Sequence, residues 1–165
     1  MNTKPYDRLK AVEYAHKWAF GRNPSYYNFD GIGGDCTNFA SQCIHAGGGV
    51  MNPTPTFGWY YYSPRSRAPA WSGVEYLYRF LVRNRSVGPV VVERDLSETE
   101  LGDIIQISFD GVIFEHSPVV VSVGSLPNPS NILIAAHTYD ADNRPLSSYA
   151  YKRLRLLHIL HINVW

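Results

Sequence analysis

Gly33-Gly34-Asp35-Cys36-Thr37-Asn38-Phe39-Ala40-Ser41-Gln42-Cys43 is the stretch on which the reading of this chain turns. A glycine pair, a small polar turn and then an apolar helical pattern put Cys36 in the first turn of a helix. Cys36, Phe39, Ala40 and Cys43 share one face of that helix, and Gly47-Gly48-Gly49 ends it. The first turn of a helix has N–H groups without partners and the positive end of the dipole. The position therefore predicts a Cys36 thiol of lowered pKa. Asp35 reads as the helix cap. Cys43 lies roughly 10 Å further along the axis, beyond the roughly 7 Å reach of a disulfide. Both thiols are expected to be free, with Cys43 a small buried hydrophobe.

Upstream, Asp7 to Phe20 reads as a helix capped by Asp7, with Leu9, Val12, Ala15, Trp18 and Ala19 as its apolar arc. Gly21 and Asn23-Pro24 stop it. Downstream, residues 51–70 are rich in proline and aromatics. Ser72-Gly73-Val74-Glu75 has the form of a capping box for a third helix, with Val74, Leu77, Tyr78 and Leu81 as its stripe. After Gly88-Pro89 the period changes to that of strands. Val90 to Val92 is one. Ile105, Ile107 and Phe109 alternate with polar residues, as in a half-buried strand. Asp110-Gly111 reads as a hairpin turn into a long strand from Val112 to Val123, with Pro118 at a bulge or edge. Asn131 to Thr138 and Leu154 to Val164 are further strands, separated by a polar loop over Tyr139 to Ser148. Helices first and an antiparallel meander after make an α+β domain, residues 1–165 as one unit.

The net charge of +1 shows no basic excess, so no nucleic-acid partner is expected. No apolar run approaches the length of a membrane span. Met1 to Asp7 has no apolar leader core, which makes the cytoplasm the default expectation.

Beyond Cys36, the chemistry-bearing candidates are few. His116 stands in an apolar, β-forming run, Val112 to Val121, where a polar side chain needs a reason. A cysteine at a helix start with a histidine to serve as base is the minimum for acyl transfer through a thioester. His16 and His45 read as surface residues. His158 and His161, three apart on a strand, should point to opposite faces and share no ion. A zinc site from Cys36, His116 and His137 is chemically conceivable, but no Cys-x-x-Cys or His-Glu-x-x-His signature supports it. Neither metal nor cofactor is expected. Trp59 and Tyr60, with Trp71 beyond them, read as a substrate wall, since aromatic rings offer rigid flat surface with a polar edge. The competing reading is that they cover the core. Arg65 and Arg67 nearby could attract a carboxylate.

These motifs resemble a known family, the putative amidase domain family, itself similar to the NlpC/P60 and CHAP peptidases of papain-like fold. Asp35-Cys36-Thr37-Asn38 stands where those peptidases have Asp-Cys-Ser-Gly. Leu101-Gly102-Asp103-Ile104 resembles their Gly-Asp strand start, Glu115-His116-Ser117-Pro118 the strand with the catalytic histidine, and Ala136-His137-Thr138 the strand with the third polar residue. Asn23-Pro24, Tyr26-Tyr27 and Trp59-Tyr60 are further matches, and the resemblance runs from about Tyr6 to Leu146.

The resemblance implies a papain-like, NlpC/P60-type fold with N-terminal helices on an antiparallel sheet. It also implies a cysteine hydrolase. Cys36 attacks a carbonyl carbon, His116 holds the thiolate as an ion pair and then protonates the leaving amine, and His137 orients the His116 ring, with Asp140 as rival. The Cys36 N–H supplies the oxyanion hole, with Tyr27 or Asn28 as second donor and Asp35 beside the substrate. The implied substrate is a peptide-like amide, by analogy the bacterial cell-wall peptides of peptidoglycan. An acyltransferase on the same thioester chemistry and a non-hydrolytic binding module are the alternatives.

Overall fold

The computed structural model describes residues Met1 to Trp165. In chain order the elements are β1 (Asn2–Lys4), α1 (Arg8–Trp18), α2 (Cys36–Gly48), β2 (Tyr61–Ser63), β3 (Ser66–Arg67), α3 (Pro69–Ser72), α4 (Val74–Arg83), β4 (Gly88–Arg94), β5 (Ile104–Ser108), β6 (Val119–Ser122), β7 (Leu133–Ala136), β8 (Ala141–Pro145) and β9 (Arg153–Val164). The fold is α+β. Seven strands form one antiparallel sheet in the order β1-β9-β5-β6-β7-β8, with β4 also paired to β9. No helix is long and apolar enough to cross a membrane.

Helix α2 is the centre of the molecule. Every residue in it except His45 and Ala46 is buried, and Gly49 ends it in the left-handed conformation at φ 74°. Asp7 caps α1 as expected, accepting from the Lys10 N–H. The buried face of α1 is Ala11, Val12, Ala15 and Ala19, whereas Leu9 is exposed. The expected capping box does not form. Ser72 closes the short α3 and its Oγ accepts from Arg67 Nε, leaving Gly73 to start α4 without a side-chain cap.

The sheet is covered on both faces. Ile104, Val119, Val121 and Ala135 point into the helix-side core with Phe39, Trp59 and Trp71. Ile105, Ile107, Val120, Ile134 and Ala136 point the other way, against Ile132, Leu146 and Leu156. Double coverage is why β5 is buried along its whole length rather than half-buried. Its polar members stay satisfied: Gln106 Nε2 donates to the Val74 carbonyl and Ser108 Oγ bonds Asp110.

Three expectations about strands fail. The run from Val112 is not a strand, because the Asp110 carboxylate accepts from the N–H groups of Val112 and Ile113 and turns the chain outward, exposing both. Regular pairing resumes only at Val119, after a bulge in which Glu115 N donates to Ile107 O while Ile107 N donates to His116 O. The polar loop after Thr138 contains strand β8, paired to β7. β9 has a bulge of its own: His161 pairs with Val90 and His158 with Val92. The two histidines therefore share a face, contrary to simple alternation. They take separate partners, Asp103 for His158 and Asn163 for His161.

Candidate active site

Each polar residue of the Asp35–Gln42 stretch ties α2 to a different part of the chain. Thr37 Oγ1 lies 3.2 Å from Ser117 Oγ, which accepts from Gln106 Nε2 at 3.1 Å. Gln106 Oε1 in turn accepts from Arg155 Nε at 2.9 Å, and Arg155 pairs with Glu75. Asn38 Oδ1 accepts from Trp71 Nε1 at 3.0 Å, and its amide donates to Tyr27 O and to Asp35. Ser41 Oγ accepts from Trp59 Nε1, and Gln42 Oε1 from the Tyr14 hydroxyl. The helix is thereby fixed in rotation and in height, and with it the direction of the Cys36 thiol.

That thiol faces the bulged segment that carries His116. Cys36 Sγ is 3.7 Å from Thr37 Oγ1 and 3.9 Å from the carbonyl oxygen of Glu115. Residue Cys36 is 6% exposed and His116 5%. The Cys36 N–H opens the helix without a backbone partner. Burial pushes the Cys36 thiol above its ordinary value, despite hydrogen bonds to Thr37 and Ser117 that favour the thiolate. Burial, and then the Arg144 charge, push His116 down to about 4. Both shifts run against the lowered thiol and the ion pair expected from the sequence. The helix start favours the anion, but desolvation outweighs it.

His137 is not beside the His116 ring. Its Nδ1 is 2.5 Å from Asp35 Oδ2 and its Nε2 is 2.7 Å from the Trp18 carbonyl oxygen, so both ring nitrogens are taken. The ring also stacks on Phe39 at 4.0 Å. Asp140, its rival, is drawn away by Arg22, which also holds Asp30. Asp35 makes no cap bond to its own helix and is fully buried, so it meets neither role expected of it. Its carboxylate accepts from the Phe29 N–H, Asn38 and His137 instead. Its own N–H donates to Thr138 Oγ1. Thr138 adopts φ 60°, a conformation that costs a β-branched residue about 1–2 kcal/mol.

The aromatic wall divides. Trp59 and Trp71 are fully buried, their rings 4.9 Å apart, and belong to the core. Tyr60 is half-buried and stacks on the exposed Tyr62 at 5.2 Å. Tyr27 is exposed, next to Asn38 through its carbonyl. Arg67 covers the Phe29 ring at 4.4 Å. His45 is half-buried against Trp59 and Trp71 rather than on the surface. No three His, Cys, Asp or Glu side chains converge so as to hold a metal ion. A groove of about 460 Å³ between Phe57, Tyr76, Phe80 and Arg83 does not touch Cys36.

Four residues at this site went unassigned from the sequence: Thr37, Ser117, Arg144 and Tyr149. Thr37 and Ser117 sit inside the motifs that name the nucleophile and the base, and adjacency to them was the available signal. Tyr149 packs on the His116 ring and Arg144 on Tyr149. Nothing in their local sequence marks them.

Comparison with known proteins gives the same neighbourhood. The model of the family described as "Putative amidase domain" matches residues 5–160. A Bacillus subtilis (strain 168) protein titled "Uncharacterized protein YhbB" is 36% identical over 144 residues, which cover 84% of this chain and 43% of that protein. The chain therefore spans less than half the length of that relative. No solved structure matches.

Proposed function

The chain belongs to the putative amidase domain family, and from that premise we propose that it hydrolyses an amide bond with Cys36 as nucleophile and His116 as base. The observation that carries the reading is the Cys36 sulfur lying 3.9 Å from the carbonyl of Glu115, the residue before His116. Of the two candidate histidines, His137 has both ring nitrogens taken, which leaves His116 as the base.

With the thiol shifted up and the imidazole shifted down, attack and proton transfer are coupled. As sulfur adds to the carbonyl carbon, the thiol proton passes to His116. The oxyanion forms where the unpartnered Cys36 N–H can donate to it. The imidazolium then protonates the leaving amine and a Cys36 thioester remains. Water, deprotonated by the now neutral His116, releases the acid. Exposure of only 6% at Cys36 leaves a narrow approach, which suits a slim acyl chain. A peptide-like amide fits, and cell-wall peptides are the substrate class we favour. A papain-like relationship is part of the same proposal.

The test is incubation with amidated peptides and with cell-wall fragments, read by mass spectrometry. Wild-type protein is expected to cleave, and Cys36→Ala and His116→Ala to lose at least about 100-fold. Cleavage retained in Cys36→Ala overturns the mechanism.

A further inference from the structure

The hydroxyl of Tyr149 is the one buried side-chain polar atom in the molecule without a hydrogen-bond partner. Leaving such a group unpaired costs about 1–3 kcal/mol, so a single orphan asks for a partner that is met elsewhere in the working cycle. Its neighbours are specific. The Tyr149 ring lies 5.6 Å from the His116 ring, centroid to centroid, at 58°. The Arg144 guanidinium covers the Tyr149 ring at 3.7 Å, and Phe109 packs at 6.4 Å. His116 itself bonds no side chain, and His137 is committed to Asp35 and Trp18. A buried hydroxyl without a partner thus stands beside the His116 ring.

Resting on the reading of Cys36 and His116 as nucleophile and base, we propose that Tyr149 positions that base, its hydroxyl bonding the imidazole nitrogen turned away from sulfur in the working conformation. A hydroxyl suits the task because it can accept from an N–H. To take the thiol proton the nitrogen facing sulfur must be bare, so the far nitrogen carries the N–H in the neutral ring and in the cation alike. The hydroxyl accepts from it in both states and so stays bonded as the proton arrives and leaves. Catalytic hydrogen bonds are commonly long in unliganded enzymes and tighten with substrate. Arg144 stacks on the phenol and fixes its plane. The charged or titratable groups facing His116 are then Cys36 from α2, Arg144 from β8 and Tyr149 itself, with Glu115 next to it in the chain.

Tyr149→Phe removes the hydroxyl and keeps the ring, so packing survives and the melting temperature should not fall. The readout is the rate of Cys36 alkylation by iodoacetamide from pH 5 to 10, resolved by mass spectrometry. The fully buried Cys43 serves as internal control. Wild type, Tyr149→Phe, His116→Ala and the double variant are compared. Near neutral pH we expect each single variant to react about 10-fold more slowly and the double variant no more slowly than His116→Ala, the mark of two residues acting as one unit. A normal rate in Tyr149→Phe, or losses that multiply in the double variant, overturns the role of Tyr149 while leaving His116 as base. A normal rate in His116→Ala overturns the base assignment itself.

Discussion

Asp35 and His137 face each other 2.5 Å apart, oxygen to nitrogen, both side chains 1% exposed. A carbonyl can only accept, so the His137 Nε2 against Trp18 O carries a proton. The pair therefore joins the end of α1, the start of α2 and the end of β7 rather than serving His116. Burial raises the Asp35 pKa, but the bonds from His137, the Phe29 N–H and Asn38 outweigh it and hold the carboxyl below its ordinary value.

The sign of the acid dependence follows. The stability supplied by Asp35 is present in full above the unfolded value, about 3.9, and is lost as pH falls through the lower folded value. Asp35→Asn should cost about 1–3 kcal/mol at pH 7, because the carboxylate that accepts from the Phe29 N–H and Asn38 and bonds His137 is lost. It should also flatten the loss of stability below pH 4. Urea unfolding from pH 2 to 7 measures both, and equal acid slopes in the two proteins would contradict the assignment.

His116 gives the opposite kind of linkage. Its folded value of about 4 lies below the ordinary histidine value. Between about pH 6.5 and 4 the unfolded chain binds the proton and the folded chain does not, so stability falls as pH falls through that window. The whole gap corresponds to about 3 kcal/mol. His116→Gln should remove that slope and leave the Asp35 dependence below pH 4 intact. Thermal melts at pH 7, 5.5 and 4.5 read the difference. A wild type as stable at pH 4.5 as at pH 7 would show that His116 is charged in the fold.

How much of this was legible in the chain can be argued residue by residue. The start and end of α2 were legible, because Gly34-Asp35 before an apolar period and Gly49 after it are local signals. So were the strand over residues 104–108 and the long final strand. The loop over residues 110–118 was not. Val112 and Ile113 favour strands, but one side-chain oxygen of Asp110 captures two backbone N–H groups and overrides that preference. His116 was found through a motif, whereas its neighbour Tyr149 reaches it only through the return of the chain after β8. The fate of Asp35 and His137 depended on how α1, α2 and β7 meet. The upward shift of the Cys36 thiol depended on burial depth, which helix-start chemistry alone does not supply.

Gly33 and Gly34 both have positive φ, 83° and 93°, yet they should respond differently to alanine. A Cβ on Gly33 meets open space. Gly33→Ala should therefore cost only the backbone preference, about 1 kcal/mol. A Cβ on Gly34 would sit 2.9 Å from Thr138 Oγ1, the acceptor of the Asp35 N–H. Gly34→Ala should displace Thr138 and loosen the start of α2. It should cost more stability than Gly33→Ala and lower Cys36-dependent activity at least about 10-fold. Comparable activity in the two variants would show that the Thr138 tether does not set the position of the sulfur.

Trp71 separates the two readings of the aromatic segment. The ring is fully buried and its Nε1 donates to Asn38 Oδ1 at 3.0 Å, two residues from Cys36. Trp71→Phe keeps most of the apolar contact with Trp59 and Tyr26 but strands the Asn38 oxygen, for a loss of about 1–3 kcal/mol. Because no part of Trp71 meets solvent, KM should stay near the wild-type value, while kcat falls as Asn38 shifts and α2 with it. Tyr62→Ala, on an exposed ring stacked over Tyr60, should do the reverse if that pair lines the substrate track, raising KM at constant stability. Steady-state kinetics beside thermal melts decides between them. A raised KM with unchanged stability in Trp71→Phe would return that ring to the substrate wall.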